Sequence, residues 1–447
     1  MGLRSSLAMT KMPYLLNETH DPARRSFIDS ANAPDCEFPI QNLPYCVFRA
    51  SPDQPPRVGV LIGDQILDPS AAASAFDGLA AEAARNCFAP FLNSLMSMGP
   101  QAWSALRLAL SRGLSDAPGN RARLGPYLTP QARAEIRMPV AFRNFTDFYA
   151  SIFHATNAGR MLRPDNPLLP NYKYVPVAYH SRASSVRISG TPVRRPRGQR
   201  KNVDQTAPAY EPSRNLDFEL ELGVFIGTGS ELGTAVAVGN AAEHVFGYCL
   251  LNDWSARDVQ AWEYQPLGPF LGKNFGTTIS PWVVTAEALA PFHVPAFARP
   301  PGDPPPLPHL DDAQDRASGG LDITLEAYLF TERMRREGVA PQRLTQTSTT
   351  QLYWTVAQMV AHHTSNGCNL EIGDLIGSGT VSGSEKPSWG SLLELTGRGR
   401  EPLQLPNGET RAFIEDGDEI IFRGHCRRDG YARVGFGECR AVVLPAG

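Results

Sequence analysis

The pattern of apolar and polar positions along the chain changes near Pro139. Before this point, residues 57–68 contain two apolar, β-branched runs around a Gly-Asp pair, which predict a β-hairpin. Three alanine- or leucine-rich segments predict helices, at 70–85, 88–98 and 101–112. Together these elements indicate a small mixed domain over residues 1–138.

After Pro139, short strand-like runs are separated by Gly, Pro, Ser and Asn, as is typical of a mainly β domain. These runs are 184–190, 217–227, 245–254, 321–330, 419–426 and 432–444. One helix is predicted over 351–364. The proline-rich segment 291–308 is interpreted as a rigid surface loop, with a docking segment for an SH3 or WW module as the alternative. We therefore expect a larger second domain over residues 139–447.

Length, composition and charge limit the kind of protein this can be. The 447 residues are 42% hydrophobic and 19% charged, which is a globular composition, and the length favours two domains. The net charge is −3, from 42 Lys and Arg against 45 Asp and Glu. Binding to nucleic acids or to membrane surfaces depends on a basic excess, so neither is expected. No apolar stretch is long enough to span a bilayer.

Several common motifs are absent from the sequence. The seven cysteines are scattered and contain no Cys-x-x-Cys pair, so neither a disulfide framework nor a thiolate zinc site is indicated. This usage favours a reducing compartment, and we expect a cytoplasmic protein. There is no Gly-x-Ser-x-Gly nucleophile elbow, and Leu232 stands where a dinucleotide fingerprint needs its third glycine.

The run Leu216–Ile226 contains the most informative acidic residues. On a strand, alternate side chains share a face, so Glu219 and Glu221 lie on one side and the flanking apolar residues on the other. Two carboxylates then converge on one place. The alternative is an edge strand with a solvated acidic face.

Two further acidic residues stand in apolar surroundings. Asp253 follows the buried-looking run VFGYCLLN, and Asp147 lies between aromatic residues. If these two meet Glu219 and Glu221, the site is made of oxygen ligands, which suit Mg²⁺, Ca²⁺ or Mn²⁺. His154 follows Asp147 by seven residues and is either a base that activates water or a structural histidine.

The sequence closely resembles the fumarylacetoacetate hydrolase family in several long runs, among them TDFYASIFHATNAG, DFELELGVFIG, LNDWSARDVQAWEYQPLGPFLGKNFGTTISPWVV, HHTSNGCNLEIGDLIGSGTVSG and GSLLEL. The likeness extends from about Pro13 nearly to the C-terminus, and only the residues before Met12 look dispensable. It implies a mainly β, α+β protein with a small N-terminal SH3-like barrel domain. The larger C-terminal domain is then a mixed β-sandwich roll that carries the active site and forms a homodimer.

The resemblance also implies roles for individual residues. Four of them match metal ligands: Asp147, Glu219, Glu221 and Asp253. Two match a second, smaller cation site: Lys273 and Thr277. His154 matches the catalytic base, and Glu394 matches the carboxylate that orients it. Three match groups that polarise substrate oxygens: Arg257, Gln260 and Lys273. The remaining matches are substrate-binding positions: Tyr149, Arg163, Tyr179, Gln260, Tyr264 and Thr380.

The implied reaction is metal-dependent hydrolysis of a C–C bond in a small β-diketo acid, with Mg²⁺ or Ca²⁺ as cofactor. Fumarate and acetoacetate are the implied products, at the end of tyrosine and phenylalanine breakdown. One alternative is another enzyme of the same superfamily, such as an acylpyruvate hydrolase, an oxo-acid decarboxylase or an isomerase. A second alternative is a cation-binding scaffold without catalytic activity.

Overall fold

The computed structural model describes residues 14–201 and 204–447, so the extension before Met12 lies outside the described residues. Within them, no helix is both long enough and apolar enough to cross a bilayer. The chain forms a small N-terminal domain and a larger C-terminal domain, both built on β-sheets. The predicted fold class is therefore confirmed.

Five antiparallel strands form the sheet of the small domain. They are β1 (Tyr45–Arg49), β2 (Arg57–Ile62), β3 (Gln65–Leu67), β4 (Leu128–Pro130) and β5 (Glu135–Arg137), in the spatial order β4-β3-β2-β1-β5. Strands β2 and β3 form the predicted hairpin, which is confirmed. Its turn holds Gly63 at φ +56°, a left-handed conformation that glycine adopts without steric strain.

Four helices lie between β3 and β4: α1 (Gly78–Asn86), α2 (Asn93–Met96), α3 (Pro100–Gly113) and α4 (Asn120–Leu124). Helix α3 agrees with its prediction, and α2 is shorter than the segment 88–98. The predicted start of the first helix at residue 70 is wrong. Asp68 Oδ1 accepts hydrogen bonds from Ser70 Oγ at 2.6 Å and from the backbone of Ala71 at 3.0 Å. This turn does not continue as an α-helix, because Phe76 and Asp77 are extended, with φ −118° and −120°, and α1 begins only after them at Gly78.

The larger domain contains the remaining helices and strands. Its helices are α5 (Ile152–Leu162), α6 (Arg257–Glu263), α7 (Ala313–Ser318), α8 (Glu332–Glu337), α9 (Val356–Thr364) and α10 (Leu392–Leu395). Its first strands are β6 (Phe145–Phe148), β7 (Ala178–His180), β8 (Val186–Ile188), β9 (Val193–Arg194), β10 (Arg197–Arg200), β11 (Ala209–Pro212), β12 (Leu216–Asp217), β13 (Leu220–Ile226), β14 (Val245–Asp253) and β15 (Ser255–Ala256). The later strands are β16 (Thr277–Ile279), β17 (Val284–Thr285), β18 (His293–Val294), β19 (Gly320–Leu321), β20 (Thr324–Phe330), β21 (Gln342–Ser348), β22 (Leu375–Gly377), β23 (Leu403–Gln404), β24 (Thr410–Arg411), β25 (Glu419–Cys426) and β26 (Val434–Leu444).

Two mixed sheets of the larger domain pack face to face. One has eight strands, in the order β7-β6-β22-β13-β14-β16-β8 with β17 beside β14, and the other has the order β21-β20-β25-β26-β9. Leu220 and Leu250 of the first sheet share one buried core with Leu325 and Phe422 of the second. This apolar layer holds the two sheets together as a β-sandwich.

The small domain packs on the outer face of the eight-stranded sheet. Phe225 of β13 and Leu251 of β14 belong to the same buried cluster as Val47 of the small domain. The Trp103 ring of α3 meets the Phe246 ring edge-on at 5.0 Å. The central strands are therefore covered on both faces.

Two predicted features of the larger domain differ in detail from the structure. The helix expected over 351–364 begins only at Val356, because Thr355 accepts a hydrogen bond from the backbone of Gln358 and caps it. The proline-rich segment is an ordered loop that contains the short strand β18 near its start. Its Arg299 guanidinium lies 4.3 Å from the centre of the Tyr353 ring, and its Asp303 pairs with Lys173.

Asp315 of α7 is expected to make stability depend on pH. Its two carboxylate oxygens lie 2.9 Å from Thr355 Oγ1, and burial raises its pKa to about 6. The folded state thus binds this proton more tightly than the unfolded state, so the stability it contributes is lost as pH rises through about 6. Asp315→Asn has no charge to bury. Its free energy of unfolding, relative to that of the wild type, should therefore increase by about 1 kcal/mol from pH 5 to pH 7.5. Urea unfolding at both pH values measures this difference.

The exposed Asp53 of the small domain provides the control, since Asp53→Asn removes a charge that water already screens. An Asp315→Asn effect of equal size at both pH values would contradict the assigned titration.

Candidate active site

Strand alternation places the acidic residues on the outer face of the eight-stranded sheet. Phe218 and Leu220 belong to the sandwich core, so Glu219 and Glu221 face the other way, on the same side as Phe225. The prediction that the two glutamates share a face is confirmed. The alternative of a solvated edge is wrong, because β13 lies between β14 and β22 and both glutamates are buried.

Two other strands of the sheet complete the acidic cluster. Asp147 lies on β6 and Asp253 ends β14. One carboxylate oxygen from each of Asp147, Glu219, Glu221 and Asp253 lies within 4.8 Å of the others, and all four residues are buried. The structure thus brings together the four residues that the sequence could only list.

A missing side chain leaves room for this cluster. Gly377 of β22 pairs with Asp147 of β6 on one side and with Gly223 of β13 on the other. A Cβ atom on Gly377 would lie 2.3 Å from Asp147 Oδ1 and 3.0 Å from Glu221 Oε2. Any larger residue would therefore displace the carboxylates.

Two oxygens of the cluster lack a partner. Asp147 Oδ1 and Glu221 Oε1 are buried and accept no hydrogen bond from any residue that the structure describes. Burial and the charge of Asp253 raise the pKa of Asp147 well above its usual range, and burial and the charge of Asp147 do the same to Glu221. Unpaired carboxylate oxygens in a buried site are suited to a divalent cation such as Mg²⁺ or Ca²⁺.

Two basic residues compensate part of the negative charge. Lys273 Nζ lies 2.6 Å from Glu219 Oε2 and 2.8 Å from Asp253 Oδ2, and Arg257 Nη1 lies 2.7 Å from Glu219 Oε1. Burial alone would raise the pKa of Glu219, but Lys273 and Arg257 outweigh it and hold that pKa below its usual range. Glu219 is therefore ionised at neutral pH.

Two hydroxyl groups donate hydrogen bonds to the carboxylate of Asp253. Tyr179 OH donates to Asp253 Oδ2 at 2.6 Å and lies 3.2 Å from Asp147 Oδ2. Thr277 Oγ1 donates to Asp253 Oδ1 at 3.1 Å. The structure thus places Tyr179 and Thr277 directly against the acidic cluster.

His154 and Glu394 form a buried pair in the same region. His154 lies in the first turn of α5, and its Nδ1 is 2.7 Å from Glu394 Oε2. A carboxylate accepts hydrogen bonds, so Nδ1 carries the proton and Nε2 is left to accept one. The Tyr149 ring stands edge-on to the imidazole, with 5.2 Å between ring centres.

Three residues that sequence reasoning misses hold Glu394 in place. Asn157 Nδ2 donates to Glu394 Oε1 at 2.9 Å, while Ser382 Oγ and Ser391 Oγ donate to Oε2 at 2.9 and 2.8 Å. Burial raises the pKa of this carboxyl, but His154 and the hydrogen bonds from Asn157 and Ser391 lower it by more, so the net pKa is below the usual range. Two of them carry a sequence signal: Asn157 follows His154 by three residues on one helix face, and Ser391 precedes Glu394 by three residues, the spacing of a helix N-cap.

Asp217 is a fourth residue that sequence reasoning misses. Its Oδ2 accepts hydrogen bonds from Arg257 Nε and from the backbone of Leu393, both at 2.9 Å, and its Oδ1 accepts from the backbone of Leu392 at 2.7 Å. One buried carboxylate thus fixes both the Arg257 guanidinium and the start of α10, which carries Glu394. Its spacing from Glu219 is the signal that could have found it.

A cavity of about 840 Å³ opens over this arrangement. The residues that line it include Asp147, Glu219, His154, Arg257 and Lys273. Five predicted substrate-binding residues also line it: Tyr149, Arg163, Tyr179, Gln260 and Tyr264. Thr380 is buried next to the lining residue Gly379, and its hydroxyl has no partner among the described residues. The predicted site residues therefore gather at one cavity and its immediate surroundings.

Two family models match the chain. Residues 41–139 match the model described as fumarylacetoacetase N-terminal. Residues 143–444 match the model described as fumarylacetoacetate (FAA) hydrolase C-terminal. The two matches together cover most of the sequence.

Several curated relatives are similar over nearly their whole length. A fumarylacetoacetase of Arabidopsis thaliana is 48% identical over 429 residues, which are 94% of this chain and 99% of that protein. The fumarylacetoacetases of Rattus norvegicus and Homo sapiens are each 47% identical, and again 94% of this chain and 99% of each relative are covered. The family models and these full-length similarities lead to one conclusion: the chain belongs to the fumarylacetoacetate hydrolase family.

Proposed function

We propose that this chain is a hydrolase that cleaves the C–C bond of fumarylacetoacetate to give fumarate and acetoacetate. The observation that carries the proposal is the position of the buried His154–Glu394 pair, which lies in one cavity with the acidic cluster. Hydrolysis of a C–C bond needs both a base for water and a means to stabilise negative charge on the leaving carbon. Relatives that share nearly the full length carry the name of this activity.

Asp147, Glu219, Glu221 and Asp253 would hold the divalent cation. The unpaired oxygens of Asp147 and Glu221 support this assignment. A bound Mg²⁺ or Ca²⁺ acts as a Lewis acid towards carbonyl and enolate oxygens of the substrate. Lys273 and Thr277, both hydrogen-bonded to Asp253, stay predicted members of a second, smaller cation site.

His154 is proposed as the general base. Glu394 holds Nδ1–H, so Nε2 can take a proton from water as the water oxygen bonds to the carbonyl carbon on the fumaryl side. The C–C bond then breaks, and its electron pair leaves with the acetoacetate carbon as an enolate. A proton transferred to that carbon completes acetoacetate, and the water oxygen stays with fumarate.

Arg257, Gln260 and Lys273 are proposed to stabilise the developing oxyanion. Arg257 Nη1 donates to Gln260 Oε1 at 3.2 Å, which orients both side chains at the cavity wall. Arg257 Nη2 is buried without a partner among the described residues, so one of its N–H groups is available to a ligand. Donors fixed before the reaction starts stabilise a developing charge without reorganisation.

The other lining residues are proposed to position the substrate. Arg163 would bind a substrate carboxylate, and Tyr149, Tyr179 and Tyr264 would form the walls beside it. Thr380 stays a predicted contact. The domain division at residues 138 and 139, the homodimer and the cytoplasmic location also stay predictions.

The direct test follows the ultraviolet absorbance of enzymatically generated fumarylacetoacetate with purified protein and added Mg²⁺ or Ca²⁺. We expect a rapid loss of absorbance, abolished by a chelator, with fumarate and acetoacetate as products. A folded, metal-loaded protein that leaves this substrate intact would exclude the proposal and favour an acylpyruvate or an oxo-diacid as substrate.

Gly377→Ala tests the cation site without replacing any of the proposed ligands. The new Cβ would collide with Asp147 Oδ1, so the carboxylates can no longer converge. We expect the variant to lose most of the rise in Tm that Mg²⁺ or Ca²⁺ gives the wild type; this rise corresponds to about 2.7 kcal/mol at a hundredfold excess over Kd. Thermal melts with metal and with chelator measure it.

Gly125→Ala is the matched control, because a Cβ there meets nothing closer than 4.0 Å. An undiminished metal-dependent rise in Gly377→Ala would contradict the proposed site.

His154→Ala tests the base separately from the metal. Loss of the proton acceptor should lower kcat by about 10²–10⁴-fold, while the metal-dependent rise in Tm is retained, because His154 is not among the proposed ligands. Steady-state kinetics and melts on the same preparation measure both quantities. His309→Ala, at an exposed histidine, should behave as the wild type. Normal turnover of His154→Ala would show that the base is wrongly assigned.

A further inference from the structure

The loop that follows α10 has an unusual backbone. Arg398 adopts φ +64°, and the glycines on either side, Gly397 and Gly399, adopt φ +55° and +83°. Of these three positions, the middle one therefore carries a side chain in the left-handed region. The Arg398 N–H donates to Leu393 O at 2.8 Å and closes the end of the helix.

Glycine would adopt the backbone conformation of position 398 with less strain than arginine. A non-glycine residue in the left-handed region carries a strain that glycine does not, and the hydrogen bond to Leu393 uses only main-chain atoms. The main chain therefore gives no reason for arginine at position 398. The reason has to lie in the side chain.

The Arg398 side chain lines the same cavity as His154 and Lys273. Unlike those two, Arg398 is exposed, as is the lining residue Leu267, so both stand at the mouth of the cavity. A guanidinium at this place meets any ligand that enters.

Most of the cationic residues that line the cavity are already engaged. Lys273 and Arg257 pair with the acidic residues of the site, and Arg200 pairs with Glu211 and Asp258. Lys201 Nζ lies 5.5 Å from the centre of the Trp262 ring. Two of the lining arginines have no acidic partner among the residues that the structure describes: Arg163 and Arg398. The cavity thus offers two uncompensated guanidinium groups.

We propose that Arg398 binds the substrate carboxylate that lies nearer the mouth, while Arg163 binds the other. This inference rests on the proposed function, since fumarylacetoacetate carries one carboxylate at each end. Two guanidinium groups without acidic partners match the two carboxylates of this substrate in number and charge, and each charge-assisted pair adds both affinity and orientation. Arg398 is thereby a specificity residue for dicarboxylates.

The neighbouring Arg400 provides a matched control. It lies in the same loop and is equally exposed, but its Nε donates to Gly397 O at 2.9 Å and it does not line the cavity. Arg398→Gln and Arg400→Gln therefore remove one positive charge each from nearly the same place. Only the first is expected to affect substrate binding.

The test is steady-state hydrolysis of fumarylacetoacetate by the metal-loaded wild type and both variants. We expect Arg398→Gln to raise KM about 10–100-fold with kcat within a few fold of wild type, and Arg400→Gln to leave both constants within twofold. For an acylpyruvate that carries a single carboxylate, the substitution Arg398→Gln should raise KM much less than it does for the dicarboxylate. High salt screens the charge of Arg398, so it should reduce the difference in KM between the wild type and Arg398→Gln.

Arg398→Gly separates binding from structure. It relieves the left-handed backbone, so its Tm should not fall below that of the wild type, while KM should rise as in Arg398→Gln. A fall in Tm with an unchanged KM would mean that Arg398 serves the fold, and equal KM values for Arg398→Gln and Arg400→Gln would overturn the inference. A wild type that does not hydrolyse the substrate would instead reject the proposed function itself.

Discussion

Four buried carboxylates at one end of a sheet are the constraint on which the rest of this structure depends. Like charges at such short distance repel each other, and burial removes the water that would screen them. Lys273 and Arg257 compensate only part of this charge, and oxygens of Asp147 and Glu221 stay without a partner among the described residues. The cluster therefore has the negative charge and the unpaired oxygens that suit a divalent cation.

The sheet that carries these acidic residues is also held in place by apolar packing. The outer face of β13 carries Glu221 near one end and Phe225 near the other, so the same alternation produces the acidic cluster and the surface on which the small domain packs. Apolar packing on both faces holds the central strands rigid while their acidic ends are pushed apart by repulsion. The small domain thus supports the site without contributing a carboxylate to it.

Sequence patterns predict the features that depend on neighbours along the chain. Alternation found the shared face of Glu219 and Glu221, and apolar context marked Asp147 and Asp253. These patterns did not predict the local turns that precede two of the helices, so both helices start later along the chain than expected. The pairing of His154 with Glu394, 240 residues apart, has no local pattern and followed only from the family resemblance. Ser382 acts through a hydrogen bond to Glu394 that only the fold creates, and no spacing along the chain reveals it.

Asp217 connects the two halves of the proposed chemistry. One of its oxygens holds Arg257, the proposed oxyanion donor, and both accept backbone hydrogen bonds at the start of α10. That helix carries Glu394, and Glu394 sets the tautomer of His154. A displacement of α10 therefore moves the base and loosens the oxyanion donor together. Because α10 also leads directly into the loop of Arg398, one short helix connects the position of the proposed base to that of the proposed carboxylate-binding residue.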